Sequence, residues 1–396
     1  MIKKTIAAFS AIIVFILCLN YSALSETGII DNGSAENIME LTIVNGSDLN
    51  YGALEAAIQN LKMFHSDIDV RFIEMNRQAR NATLMSGMKG LDIFFNQMSG
   101  EQVLTEVGAL YDLSGEERLN NVLENWIGYE ACFWQDVCFG IPVEIYAYAI
   151  LPNESLAQYA IRIDWTTAEW LDVLKWAEEH QTDLDYDGDQ DIWVFFDDCT
   201  GPLWLMQYEA MFDDPSQINY DTEIFRALVE QYKRCVDAGV YLDMADSSAD
   251  PSLALYWCQP MDINYSGGFC ALPSIDGETV VPAGVFSFSI GKGTDNYEEA
   301  VELLANYITE ETQAMNYMIG FAPNSDIYPV YSEMTDSERE ALEQRKAYID
   351  SSVCAWRNMD FVRLSASLLD KYLSGTITTE ELVDQLQEKH RMTIWG

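Results

Sequence analysis

The chain is poor in positive charge and in histidine. Its 396 residues hold 22 Lys and Arg against 64 Asp and Glu, a formal charge of −42. Phosphate binding needs a basic face, so this balance argues against nucleic acid and disfavours an anionic membrane surface. It suits a soluble protein in a salty or crowded medium. Only three histidines occur, His65, His180 and His390, which leaves little material for a His-based metal centre or catalytic triad. No GxGxxG or GxxxxGK[ST] loop follows a strand-like segment, so a nucleotide fold is unsupported. Internal repeats and low-complexity tracts are missing too. What is there is apolar material: 49% of residues are hydrophobic and 22% charged. The chain can bury a sizeable core, and its length fits two or three domains of about 100–200 residues.

The run Ala7–Leu19 contains Ser10 as its only polar residue and follows Lys3 and Lys4. Its length falls short of the roughly 20 residues of a spanning helix. With Ala23-Leu24-Ser25 behind it, the segment reads as a secretory signal peptide over 1–25, cleaved before Glu26. The mature protein is then secreted or cell-surface associated. Cys18 raises the question of a lipid anchor, but Leu17 stands where a lipobox wants a small residue. The remaining cysteines, Cys132, Cys138, Cys199, Cys235, Cys258, Cys270 and Cys354, are odd in number and irregular in spacing, which is no disulfide framework. Cys132 and Cys138 bracket a short hairpin and are expected either to face one another in a disulfide or to lie buried as small apolar side chains.

Residues 26–39 read as a flexible polar leader. Strands are then predicted at Glu40–Asn45, Asp67–Glu74 and Leu91–Phe95, with helical spacing at Leu54–Lys62 and Ala82–Met88 between them. This β-α-β-α-β order implies a parallel sheet with helices on its faces, an α/β fold. A hairpin follows at Ala131–Val137 and Phe139–Ile150. Thr166-Thr167-Ala168-Glu169 fits a capping box opening a helix to His180. Further helices are predicted at Glu223–Ala238, Asn296–Ile308, Glu311–Ile319, Asp336–Asp350, Met359–Leu373 and Thr379–His390.

Asp183-Leu184-Asp185-Tyr186-Asp187-Gly188-Asp189-Gln190-Asp191 is the sharpest local motif. Carboxylates at loop positions 1, 3, 5 and 9, a carbonyl at 7 and Gly at 6 supply the oxygen shell that Ca²⁺ wants. Position 12 is Val194, so the loop is not a complete EF-hand. A structural Ca²⁺ held by Asp183, Asp185, Asp187, Asp189 and Asp191 is expected; the alternative is a solvated acidic turn.

Several blocks, in order, resemble the family 1 extracellular solute-binding proteins of bacterial ABC importers. They are Leu84-Met85-Ser86-Gly87 with Leu91-Asp92-Ile93-Phe94, then Gly108-Ala109-Leu110-Tyr111-Asp112-Leu113, then Phe139-Gly140-Ile141-Pro142. Asp164–Leu171, Ser287–Ile290 with Asn296–Ala305, and Gly375-Thr376-Ile377 into Glu380–Glu388 follow. The segment after the hairpin, Leu151-Pro152-Asn153-Glu154, departs from the family's pattern. The resemblance implies a two-lobe, type II periplasmic-binding-protein-like fold with a ligand cleft between lobes. Lobe 1 would comprise 40–149 and 272–323, and lobe 2 would comprise 150–271 and 324–396, with crossings near Ile150, Leu272 and Pro323.

The resemblance also implies a non-enzymatic monomer that delivers a carbohydrate to ABC transporter permease subunits. Sugars present apolar C–H faces, so aromatics in loops or at strand ends are the candidates. Asn45 and Asn96 end strands, where ligands of α/β sheets collect. Tyr146 lies in the expected crossing strand, Trp204 follows Gly201-Pro202, and Trp257 and Tyr265 flank the second crossing. Two other classes stay open: a calcium-dependent surface sensor or adhesion protein on the same fold, and a secreted glycoside hydrolase, for which no carboxylate pair is singled out.

Overall fold

The computed structural model describes residues 39–45, 52–87, 89–97, 101–124, 126, 128–134, 136–159, 167–197, 201–212, 217–243, 250–261, 268–313, 335–354 and 359–395. The signal segment, the leader up to Ile38, and the position of Pro323 lie outside them. The described chain opens with β1 (Met39–Val44), α1 (Gly52–Phe64), β2 (Ile68–Ile73), α2 (Arg77–Met85) and β3 (Ile93–Gln97). The apolar stripe Leu54, Ala57, Ile58 and Leu61 buries one face of α1, as the spacing predicts. Asn76 caps α2 by accepting from Ala79 N at 2.9 Å. Two short helices, α3 (Glu101–Glu106) and α4 (Glu117–Leu123), lead to the hairpin β4 (Phe133–Trp134) and β5 (Val137–Cys138), and then to β6 (Ile141–Pro152).

The next stretch holds α5 (Trp170–Glu178), β7 (Trp193–Asp197), α6 (Leu203–Ala210), α7 (Glu223–Asp237), β8 (Tyr241–Asp243) and β9 (Ala254–Pro260). The chain then runs through β10 (Val281–Ile290), α8 (Tyr297–Tyr307), α9 (Glu310–Gln313), α10 (Asp336–Asp350), β11 (Ser352–Cys354), α11 (Met359–Leu373) and α12 (Thr379–Trp395). Beyond Gln313 the expected Glu311–Ile319 helix lies outside the described residues. No helix of the described residues is long and apolar enough to cross a membrane.

Nine strands join in the order β2-β1-β3-β10-β6-β9-β7-β8, with β11 beside β10. β1 and β3 are parallel, as are β9, β7 and β8 and the short β11 with β10, while β10 runs antiparallel to β3 and β6, and β6 to β9. β6 is shared. Its residues Ile141 to Ala147 pair with β10, and Tyr148 to Pro152 pair with β9. Two apolar cores flank this junction. One gathers Val44, Leu84, Leu91, Phe94, Leu110 and Phe139; the other gathers β7 to β9, α5 to α7 and the late helices. Leu272, Ile275, Val281 and Val285 all belong to the second core, and β10 reaches β3 only at Phe286.

One local expectation needs correction, and one left open is decided. Glu169 is the N-cap of α5 itself and makes no side-chain cap bond. Its Oε1 instead accepts from Ser274 Oγ at 2.8 Å and Gly277 N at 3.0 Å, pinning the helix start to a distant turn. A reciprocal capping box does occur, at Thr335 and Glu338 of α10. The hairpin pairs Phe133 with Cys138 and Trp134 with Val137, so Cys132 stands one residue out of register with Cys138. Neighbouring strand positions point to opposite faces. Both thiols are accordingly free and buried, and no disulfide joins them. Cys138 Sγ lies 3.2 Å from Gly140 O, and burial pushes its thiol up to about 11.

One buried carboxylate ties the first core together. Asp92 Oδ2 accepts from Thr42 N at 2.7 Å and Thr42 Oγ1 at 3.0 Å, while Asp92 N donates to Thr42 Oγ1 at 2.9 Å. Its other oxygen accepts from Thr294 Oγ1 and, at 3.4 Å, from Asn296 Nδ2. This links β1, the entry to β3 and the cap of α8. Asp92→Ala strands these buried donors and is expected to cost about 3 kcal/mol or more of unfolding free energy in urea titration; an unchanged midpoint would show that the network carries no stability.

Candidate functional site

The junction of β6 and β10 has two unlike faces. Val143, Ile145, Ala147 and Ala149 of β6, with Val285 of β10, are buried. The alternate positions of β6 carry Glu144, Tyr146 and Tyr148, and those of β10 carry Gly284 and Phe286. The pairing sets Glu144 opposite Phe286 and Tyr146 opposite Gly284. Tyr148, Gly284 and Phe286 are half-buried, with Tyr148 packed on the edge of the second core. Phe95 of β3 stacks on Phe286 at 5.1 Å and 7°, and meets Phe288 edge-on at 5.7 Å. Behind them Tyr307 of α8 stands at 84° to Phe288.

Glu144 is a carboxylate only 3% exposed at this junction. Tyr307 is fully buried. Burial first, and the Glu144 charge after it, push its phenol above the ordinary tyrosine range, against a lowering by Gln313; it stays a neutral hydroxyl. Flat half-buried rings beside a buried acceptor suit a polyhydroxylated ring, with C–H faces on the aromatics and hydroxyls toward the carboxylate. Phe95, Phe286, Tyr148 and Glu144 were not singled out from sequence. The alternation Val143-Glu144-Ile145-Tyr146-Ala147-Tyr148 carries the signal, because a period of two on a crossing strand separates core from open face.

The residues expected to touch ligand fare unevenly. Tyr146 stands on the crossing strand at the register position opposite Gly284. Asn96 pairs with Ser287 of β10 at the carboxyl end of β3. Asn45 does end β1, but in a left-handed conformation (φ 59°), and its Oδ1 accepts from Met75 N at 2.8 Å, fastening the chain after β2. Trp257 sits within β9 between Leu151 and Phe196 and packs on the second core. Tyr265 lies outside the described residues. Trp204 is a correction: it is 0% exposed, on the first turn of a wholly buried helix, packed against Phe225 and Tyr232. The Gly-Pro before it starts α6 but does not bring the indole to a surface. What faces the carboxyl end of β7 is Asp197, whose Oδ2 accepts from Leu203 N at 2.9 Å and Tyr241 Oη at 2.6 Å.

The acidic loop is tightly wound. Tyr186 and Gly188 take positive φ, 63° and 97°. Gly188 N donates to Asp183 Oδ2 at 2.9 Å, Asp187 N to Asp185 Oδ1 at 3.1 Å and Asp189 N to Asp187 Oδ1 at 2.9 Å. Carboxylate oxygens of Asp183, Asp185 and Asp187 lie within 4.8 Å of one another. Asp183 Oδ1 is buried and has no hydrogen-bond partner. Asp189 and Asp191 are not part of this cluster; Asp191 Oδ2 closes the loop by accepting from Leu184 N at 2.7 Å.

No family model matches the chain, and no curated protein matches it in sequence. Solved structures do. An ABC substrate-binding protein of Listeria monocytogenes in complex with cycloalternan superposes with a TM-score of 0.66 at 15% identity, over 90% of this chain and 98% of that one. Maltose-bound T. maritima MalE3 gives 0.66 at 13% identity, over 90% and 100%. The GacH receptor of Streptomyces glaucescens, solved unliganded and with acarbose, gives 0.64 at 15%, over 89% and 97%. The fold is the two-lobe binding-protein fold. β6 is the strand that pairs with β10 at one end and β9 at the other, and the half-buried face described above lies on β6 and β10. Trp204 belongs to a lobe core, so Trp204→Ala is expected to lower stability by about 3–5 kcal/mol in denaturant titration. An unchanged midpoint together with lost sugar affinity would return this residue to the ligand.

Proposed function

We propose that this protein captures a carbohydrate, a sugar or oligosaccharide, outside the cell and delivers it to the permease of an ABC transporter. The observation that carries the reading is the half-buried aromatic and carboxylate face on the crossing strands, in a fold whose solved neighbours are named for complexes with cycloalternan, maltose and acarbose. In this reading the ligand sits between the lobes. Phe95, Phe286 and Tyr148 offer ring faces and Glu144 accepts hydroxyls. Rotation about β6 and β10 closes the lobes over it. The N-terminal segment exports the chain, which acts as a monomeric carrier. The test is a thermal-shift screen with maltose, maltotriose, cycloalternan, acarbose and tagatose, with peptides and polyamines as controls. A true ligand at a hundredfold excess over its dissociation constant adds about 2.7 kcal/mol of stability, and the radius of gyration falls on saturation. A shift by peptides or polyamines alone would overturn the carbohydrate reading.

We also propose a structural Ca²⁺ in the Asp183–Asp191 loop. Asp183, Asp185 and Asp187 would supply carboxylate oxygens, and the buried, unpartnered Asp183 Oδ1 supports it. The ion would neutralise like charges that otherwise repel and fix the entry to β7. Chelation is expected to lower the melting temperature, and Asp185→Ala with Asp187→Ala to abolish that response. Mg²⁺ should substitute poorly because it demands a smaller octahedral shell. A melting curve unmoved by chelator, with no calcium uptake in calorimetry, would leave a solvated acidic turn.

A further inference from the structure

We propose that Gly284 sets the size limit of the ligand cleft: its missing side chain leaves a bare strip of β10 backbone beside the Tyr148 ring, and one ring of a bound carbohydrate rests there. This rests on the carbohydrate-binding reading above. Glycine in a strand interior weakens the strand, through chain entropy and lost packing. Two internal reasons usually retain it. One is a positive φ, and Gly284 does not have it, lying in the extended run of β10. The other is a steric clash. Among the described residues, a Cβ built at 284 would meet Tyr148, at 3.9 Å from Oη and 4.0 Å from Cε2, which is ordinary contact. Gly140 shows what a real clash looks like: a Cβ there would lie 2.6 Å from Phe288 O and 2.9 Å from Ser289 Oγ. Nothing among the described residues therefore requires glycine at 284, and the register break lies farther along, between Phe286 and Ser287. The remaining reason is close approach of a group from outside the chain.

The surroundings say what that group is. Position 284 is half-buried on the open face of the crossing pair, two residues from Phe286. The Tyr148 backbone is held: its carbonyl accepts from the half-buried Tyr348 Oη at 2.8 Å, and the Tyr348 ring packs on Phe269 at 4.7 Å. A fixed ring wall, a flat strip of backbone and a nearby buried carboxylate match a saturated ring with one C–H face and hydroxyls at its edge, a pyranose. The strip has no side-chain charge, so it discriminates by volume alone.

The experiment measures dissociation constants by calorimetry for maltose, maltotriose and cycloalternan with the full chain, Gly284→Ala and Gly284→Val, and the melting temperature of each ligand-free protein. Alanine is compatible with the extended backbone here, so Gly284→Ala should melt at or above the parent. Affinity should fall nonetheless, and Gly284→Val should lose about tenfold or more. If the valine variant does not fold, the alanine variant decides alone, through weaker binding at an undiminished melting temperature. Unchanged affinity in a folded variant, with the parent binding one of these sugars, overturns the role of Gly284 and leaves the carbohydrate reading standing. No binding by the parent to any of them, alongside a response to peptides or polyamines, overturns both.

Discussion

The antiparallel pairing of β6 with β10 is the constraint on which the rest of the molecule depends. β6 leaves β10 for β9 between Ala147 and Tyr148, and in doing so makes one continuous hydrogen-bonded ladder out of two parallel sheets. β6 runs past two apolar cores: Ile145, Ala147 and Ala149 join the second, while the alternate positions carry Glu144, Tyr146 and Tyr148. The candidate site is a by-product of that geometry.

The sequence was informative wherever the signal was periodic. The strands and α1 of the parallel opening, together with α7, α8, α10, α11 and α12, fell close to their expected bounds, whereas α2 begins at Arg77, after its Asn76 cap, five residues before the expected Ala82. The family-like block Leu91-Asp92-Ile93-Phe94 also has a visible cause. Asp92 is buried because it answers donors on Thr42, Thr294 and Asn296, partners up to about two hundred residues away in a chain whose other carboxylates are mostly solvated. Sequence spacing shows the motif and hides the partners.

The site was legible only in part, for physical reasons. Trp204 looked like a loop aromatic because Gly-Pro precedes it, yet α6 is buried all round and has no outer face to offer. Asn45 ended a strand as expected, but a strand end in this fold must also hold the next turn, and its amide oxygen does that. The cysteines at 132 and 138 were compatible with a bridge until hairpin register separated their faces. Phe95 and Phe286 come from strands almost two hundred residues apart and meet only because β10 lies between β3 and β6. No local pattern announces such a pair.

The register break in the crossing pair has a consequence of its own. Phe286 stands opposite Glu144 and Ser287 opposite Pro142, so Val143 is one residue more than the ladder needs. That extra residue sets the phase of everything beyond it on β6. Removing a residue between Glu144 and Tyr148, or adding one there, would turn the open-face side chains beyond it inward and the buried ones out, and would slide the strand against β9 as well. The twelve residues of β6 thus act as a ruler of fixed length. Such a strand can drift in chemistry, one open-face side chain at a time, but not in length. A cleft built on it acquires new specificities by substitution, while insertions and deletions are confined to the loops at either end.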